Sequence, residues 1–171
     1  VFDGSCDIAT AALAKAGIPY TIRPAAMGSV AEVMIGDARV ASLNALRGSV
    51  EAAAAMISGA ARARVGQGLV NGCATTAGGG GNVAVRTAGN CVTLVSFYPD
   101  AGAAGIVAAA VATPTVPPTA VELAAKGYAH AGGVFTMVGA PTPANCSFTY
   151  TPPAAGSGLA PVIGPVAVGG C

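Results

Sequence analysis

The longest periodic pattern of apolar residues covers residues 31–64 and predicts a helix. Apolar residues recur there every three, four or seven positions, which aligns them along one face. An alanine run at residues 52–55 has high helix propensity, and Gly66 supplies a stop. The predicted apolar stripe is Val33, Val40, Leu43, Leu46, Val50, Ala54 and Ile57, and the wetter face is Glu32, Asp37, Arg39, Ser42, Asn44, Arg47 and Glu51.

A region rich in Gly, Thr and Asn follows at residues 66–90 and predicts a long surface loop with a short strand at residues 83–86. Cys73 and Cys91 bracket this loop. The glycine run at residues 78–81 lacks the strand-to-helix turn and the Lys-Ser/Thr pair of a phosphate-binding loop. It therefore predicts a flexible loop.

The second half of the chain contains short strand and helix patterns. Residues 91–98 alternate, with Val92 and Leu94 on one side, and predict one strand that ends at Pro99. A short helix is predicted at residues 103–112, ended by nearby prolines, and another helical turn at residues 119–127. Further strands are predicted at residues 133–139 and 145–151 and, more weakly, at residues 162–168.

This order of elements predicts an α+β fold in which a long helix packs on an antiparallel sheet of about four strands. The first thirty residues do not share the pattern. Residues 1–24 predict a short helix and a strand, and residues 26–29 resemble a cloning scar. Residues 1–30 are therefore treated as a leader of uncertain origin and residues 31–171 as the globular domain.

Length and composition exclude several classes of protein. The chain of 171 residues fits one domain, and its apolar fraction of 53% comes mostly from Ala and Val. Charged residues make up 9% and the net charge is +1, which excludes electrostatic binding of nucleic acid. Every window of about 18 residues contains Pro, charge or Gly clusters, so no membrane-spanning helix is expected.

The cysteines indicate an oxidising compartment. Five cysteines without a CxxC pair, together with one histidine, make a poor metal site and a plausible disulfide set. Because the number of cysteines is odd, one thiol is expected to stay outside the disulfides.

Three stretches resemble type IV pilins, most closely the mannose-sensitive haemagglutinin subgroup. GDARVASLNAL at residues 36–46, followed by the Ala-rich run, resembles the segment after the hydrophobic N-terminal stalk of these proteins. VTLVSFYPDA at residues 92–101, and CSFTYT at residues 146–151 with the later Cys171, follow in the same order. The resemblance covers about four fifths of the chain and implies the type IV pilin fold. The apolar N-terminal helix with an early acidic residue, which pilins carry, has no match, so the chain is expected to be truncated before Ala31.

The resemblance also implies the roles of the cysteines and the function. Cys146 and Cys171 would close the C-terminal region, Cys73 and Cys91 would pin the loop between helix and sheet, and Cys6 would be the odd thiol. The function would be that of a structural subunit of an extracellular pilus, without catalytic residues, metal or cofactor. Its partners would be other pilin subunits, through the missing N-terminal helix, and the pilus assembly machinery. The chain as given would be monomeric, and the full-length subunit would be stored in the bacterial inner membrane.

Two other functions stay open at this point. A type II secretion pseudopilin or a minor pilin would share the fold, although residues 152–170 contain none of the acidic residues of a pseudopilin calcium site. A small thiol-redox protein is the remote alternative, because residues 6–20 faintly resemble a glutaredoxin helix that begins at Cys6. The second cysteine of a CxxC motif is missing there.

The remaining candidate chemistry has a simple structural interpretation. His130 is predicted to be a polar surface or turn histidine, since the chain offers no second histidine. Asp100 and Glu122 are the candidate carboxylate pair, but no substrate-binding aromatic residues accompany them. The sequon at Asn145 is not expected to be used in a bacterial protein whose Cys146 is oxidised.

Overall fold

A computed structural model describes residues 27–84 and 90–171, with side chains from Ile35 onward. The predictions for residues 1–24 and for Cys6 lie outside the described residues. Residues Ile35–Cys171 form one compact unit. Within this unit the fold class is α+β, as predicted, with one long helix and antiparallel sheets.

Helix α1 spans Met27–Arg64, so it begins earlier than predicted and ends at the predicted residue. The predicted stripe is buried from Leu43 to Ile57, whereas Val40 is only partly buried and the side chain of Val33 lies outside the described residues. Leu43 and Val50 are fully buried, and Ile57 is 1% exposed. The burial also includes alanines that sequence periodicity did not assign to the stripe, Ala53 and Ala61.

The first sheet has three antiparallel strands in the order β1-β2-β3. They are β1 (Asn82–Ala84), β2 (Cys91–Val95) and β3 (Tyr98–Pro99). The prediction of one strand over residues 91–98 is wrong. Ser96 and Phe97 have φ of 47° and 70°, and Tyr98 pairs back with Val95. This two-residue hairpin turn was missed because neither residue type signals a positive φ.

Three helical segments follow. The helix predicted at residues 103–112 is interrupted, because Gly105 leaves helical geometry inside the segment Ala103–Val107. Only one short turn, α2 (Ala108–Ala110), continues it. Helix α3 (Ala120–Ala125) lies within the predicted residues 119–127 and begins with a capping box formed by Thr119 and Glu122.

The second sheet has four antiparallel strands in the order β4-β5-β6-β7. Strand β4 was not predicted, because Tyr-Ala-His-Ala is short and weakly patterned. The weak strand predicted at residues 162–168 is reduced to two residues, since Gly164 and Pro165 interrupt it. The single sheet expected from the sequence is therefore two sheets. The strands are β4 (Tyr128–Ala131), β5 (Val134–Met137), β6 (Ser147–Thr151) and β7 (Val162–Ile163).

The apolar stripe of α1 packs against both sheets. Its earlier part, including Leu43 and Val50, packs with Phe135 and Phe148 of the four-stranded sheet. These two rings stack with their centroids 5.0 Å apart. Its later part packs with the three-stranded sheet in a cluster of smaller side chains, Ala53, Ile57, Ala61, Val83, Val92 and Leu94.

The shared core predicts unequal effects of truncation along α1. Leu43→Ala leaves a cavity at a fully buried position and should lower the free energy of unfolding by about 3 kcal/mol. Met56→Ala is the matched control, because Met56 is 63% exposed on the same helix and its truncation should change stability by less than about 0.5 kcal/mol. Urea unfolding of both variants measures the difference. Equal losses would contradict the observed orientation of the helix.

Candidate functional site

The first disulfide joins Cys73 to Cys91, a pairing that the resemblance implies, and fixes the loop after α1 to the start of β2. The Cα atoms are 5.7 Å apart and Cys73 is buried. A turn at Asn71 and Gly72 precedes it, closed by a pair of hydrogen bonds between the backbones of Val70 and Cys73. Residues 85–89, inside the closed loop, lie outside the described part of the chain.

The glycine run inside this loop is a hydrogen-bonded turn, whereas the sequence predicts a flexible segment. Gly79 donates its backbone N–H to the carbonyl of Thr76, and Gly80 donates to the Thr76 hydroxyl. Gly79 has φ of 76°, and a Cβ on this residue would collide with the backbone nitrogen of Phe97. The glycine at this position thus allows close packing of the loop on the β2–β3 turn.

The second disulfide joins Cys146 to Cys171, again the pair that the resemblance implies. The Cα atoms are 4.8 Å apart, and Cys146 is fully buried in the core shared with α1. The backbones of Thr142, Asn145 and Gly170 are also linked, by hydrogen bonds of 3.1 and 3.0 Å. Together these contacts hold the end of the described chain against the turn before β6.

Two arginines of α1 bind backbone carbonyls of the C-terminal segment and of the connection between β5 and β6. Arg39 donates from Nη1 to the carbonyl of Cys171 at 2.6 Å and from Nη2 to that of Gly139 at 2.7 Å. Arg47 donates from Nε to the carbonyl of Gly164 at 2.8 Å and pairs with Glu51. The sequence placed both arginines on the wetter face of the helix. Their position four residues on either side of Leu43, at the border of the stripe, is the signal that could have identified them.

The candidate carboxylates Asp100 and Glu122 are each engaged locally. Asp100 accepts a hydrogen bond from the backbone N–H of Gly102 at 2.7 Å. Glu122 accepts hydrogen bonds from the hydroxyl and backbone N–H groups of both Thr115 and Thr119. Each carboxylate thus closes a turn of its own, an arrangement unlike that of a glycosidase pair.

The hydrogen bonds to Glu122 favour its ionised form. Those from the Thr115 hydroxyl and from the Thr119 backbone and hydroxyl lower the pKa of Glu122 to about 2, against a small opposing effect of desolvation. The ionised carboxylate thereby ties the proline-rich segment before α3 to the first turn of that helix.

His130 lies on β4 and is half-buried. Its Nε2 accepts a hydrogen bond from the backbone N–H of Gly133 at 3.2 Å, and its ring lies 4.7 Å from that of Phe135. Burial lowers the pKa of His130, and this effect outweighs a hydrogen bond to the Ala101 backbone and the negative charge of Asp100, which both raise it. His130, predicted to be a polar surface or turn histidine, therefore belongs to the β4–β5 turn, and its half-buried ring also packs beside Phe135.

A surface cavity of about 240 Å³ lies where the glycine turn, the β2–β3 turn and the loop at residues 156–158 meet. The guanidinium of Arg62 lies 4.7 Å from the centre of the Phe97 ring, and its Nε donates to Ser58. Ser96 donates to the carbonyl of Ala154 and accepts from the N–H of Gly156. The polar side chains around this cavity are engaged within the protein, which leaves them no nucleophile–base arrangement.

Other features bear on the chemistry of the described residues. Among residues 27–84 and 90–171, no group of three or more His, Cys, Asp or Glu side chains is placed to hold a metal ion. No helix in these ranges is long and apolar enough to cross a bilayer. The turn residue Asn145, which begins the sequon, is exposed.

Comparison of the chain with family models, curated proteins and solved structures finds no match.

The two disulfides should make separable contributions to stability. The Cys146→Ala/Cys171→Ala variant should lose about 3 kcal/mol of unfolding free energy under non-reducing conditions, because its unfolded chain regains the freedom of a loop of 25 residues. The Cys73→Ala/Cys91→Ala variant is the matched comparison, with a loop of 18 residues and a similar loss. Thermal unfolding with and without reductant checks both. An unchanged Tm for the first variant would show that the Cys146–Cys171 bond does not stabilise the domain.

Glu122 should add an acid-sensitive contribution to stability. Since its pKa is lowered from 4.5 to about 2 in the folded protein, its contribution is complete above pH 4.5 and is lost as the pH falls toward 2. Glu122→Gln should therefore have a lower Tm than the parent at pH 6, and the two should converge as the pH approaches 2. A difference that stays constant over this range would exclude the carboxylate charge as its cause.

Proposed function

We propose that this chain is the globular domain of a type IV pilin, a structural subunit of an extracellular fibre. The proposal rests on the resemblance of three ordered stretches and is supported by one structural observation above all. A long helix packs lengthwise on antiparallel sheets, and a disulfide closes the C-terminal segment beside that helix. This arrangement supplies a rigid body attached to one helix, as a fibre subunit requires.

The exposed face of α1 also supports the proposal. Small residues follow one another there at intervals of three or four positions, and all are exposed. Small side chains let the backbones of neighbouring helices approach closely, and repeated contacts of this kind between copies of one chain build an open filament. These residues are Ala41, Ala45, Gly48, Ala52, Ala55 and Gly59.

The use of polar groups is consistent with a structural role. Arg39, Arg47, Asp100 and Glu122 are each engaged in holding the fold, as described above. The imidazole of His130 is committed to a turn in the same way. The small-residue surface is thus left for contacts between subunits.

The direct test is to locate the chain in the organism that encodes it. Antibodies raised against residues 35–171 should label filaments at the cell surface and recognise a subunit in filaments sheared from the cells. The gene upstream of the codon for Ala31 should encode a short basic leader and an apolar helix with an early Glu. Labelling confined to the cell interior, or an upstream sequence that encodes residues 1–30 as given, would reject the proposal.

A substitution on the exposed face of α1 should separate folding from assembly. Ala52→Arg places a long charged side chain on this face and should leave the Tm of the isolated domain nearly unchanged, since Ala52 is exposed. The same change in the full-length subunit should abolish or strongly reduce the amount of filament. Ala155→Arg, in an exposed loop, is the matched control and should assemble normally. Normal assembly of the Ala52→Arg subunit would exclude this face from the fibre contacts.

A further inference from the structure

His130 lies at a junction between the two sheets. It belongs to β4 of the four-stranded sheet, and the β4–β5 turn lies against Ala101, which follows the last strand of the three-stranded sheet, since a Cβ on Gly133 would lie 3.3 Å from the Ala101 side chain. Gly133, in the turn between β4 and β5, donates to the ring from one side and would collide with the carbonyl of Tyr150 if it carried a Cβ. The imidazole thus closes the β4–β5 turn at the point where this turn lies against Ala101.

The hydrogen bonds determine which form of the imidazole fits. A backbone N–H can only donate, so the contact from Gly133 requires a lone pair on Nε2. The neutral ring supplies this lone pair and keeps its proton on Nδ1, where it can donate to a carbonyl. A doubly protonated ring has no acceptor, and its Nε2–H would point at the N–H of Gly133. The protonated ring therefore cannot keep its hydrogen bond with Gly133.

The charged groups near His130 do not prevent the loss of this hydrogen bond on protonation. Asp100 is the carboxylate that acts on the ring, and one of its oxygens is already engaged by Gly102. Strands β4 to β7 contain no Asp, Glu, Lys or Arg. Helix α3, which packs on β4, carries Glu122, engaged by Thr115 and Thr119, and is followed by the exposed Lys126. Tyr150, beside Asp100, donates its hydroxyl proton to the carbonyl of Pro99.

We propose that His130 is a pH-sensitive latch that closes the β4–β5 turn beside Ala101 when neutral and releases this turn on protonation in a mildly acidic medium. The inference rests on the contacts of His130 and is independent of the proposed function. The sign follows from burial, which favours the neutral ring in the closed junction, while an open ring regains its ordinary pKa of 6.5. The closed junction is therefore most stable above pH 6.5 and loses stability as the pH falls below this value.

Amide hydrogen exchange at Gly133, followed by NMR, tests the latch. After correction for the intrinsic exchange rate, protection of this amide should fall up to about tenfold between about pH 7 and 5.5, because opening is coupled to the uptake of one proton. The amide of Val138 is the internal reference, since it bonds the carbonyl of Gly127 at the far end of the same strand pair. Its protection should change little over this range.

His130→Gln is the matched variant. The Gln side chain can accept from Gly133 and cannot be protonated in this range, so protection of the Gly133 amide should become independent of pH. Equal losses of protection in the parent and the variant would overturn the proposal. If the variant does not fold, the titration of the His130 imidazole in the parent protein tests the proposal instead. A midpoint below 6.5 that coincides with the shift of the Gly133 amide supports the latch, and a midpoint at or above 6.5 overturns it.

Discussion

The structure depends on one apolar stripe that is shared between two small sheets. Each sheet has an apolar face that must be covered by another element, and the chain contains no Trp and few other aromatic residues. The earlier part of the α1 stripe covers the aromatic residues of the four-stranded sheet, and the later part covers the small residues of the three-stranded sheet. Because both sheets are attached to the same helix, the loss of a central contact such as Leu43 acts on the whole unit.

The Pro- and Gly-rich segment after β6 presents a second problem, since it forms little regular structure that could satisfy its carbonyl groups. Side chains of α1 donate hydrogen bonds to some of these carbonyl groups. Arg39 donates to the carbonyl of Cys171 and Arg47 to that of Gly164, and these donors are charged, which makes the hydrogen bonds stronger than neutral ones. The Cys146–Cys171 bond then limits how far this segment can move from α1 when such contacts open.

Sequence reasoning predicted those elements whose pattern continues over many residues. The long helix, its end at Arg64 and its buried stripe follow from periodicity, and α3 follows from Thr119 and Glu122 at the spacing of a capping box. It failed where a single backbone angle decides the path of the chain. The turn at Ser96 and Phe97 interrupts an alternating apolar pattern that itself continues unbroken, so one predicted strand became a hairpin.

Prediction from the sequence was limited in a similar way at the candidate site. The cysteine pairs came from a resemblance, because the positions of five cysteines alone leave several pairings open. Helical periodicity assigned Arg39 and Arg47 to the wetter face of the helix, and His130 was predicted to be a polar surface or turn histidine because the chain offers no second histidine. The actual roles of the arginines depend on segments about 100 or more residues away, and that of the histidine depends on the β4–β5 turn. The border position of the two arginines could have indicated that they lie beside the core, but nothing local in the sequence identifies the distant carbonyls that they bind.

The distribution of charge connects these observations. A chain with 9% charged residues has few groups with which to oppose association, and four of them are used to hold loops and turns. The exposed face of α1 and the outer positions of β4 are consequently dominated by small uncharged side chains. Such a surface carries few charges that could repel another copy of itself, and its small residues allow a close approach. Under the proposed function, this face would allow close packing with identical neighbours.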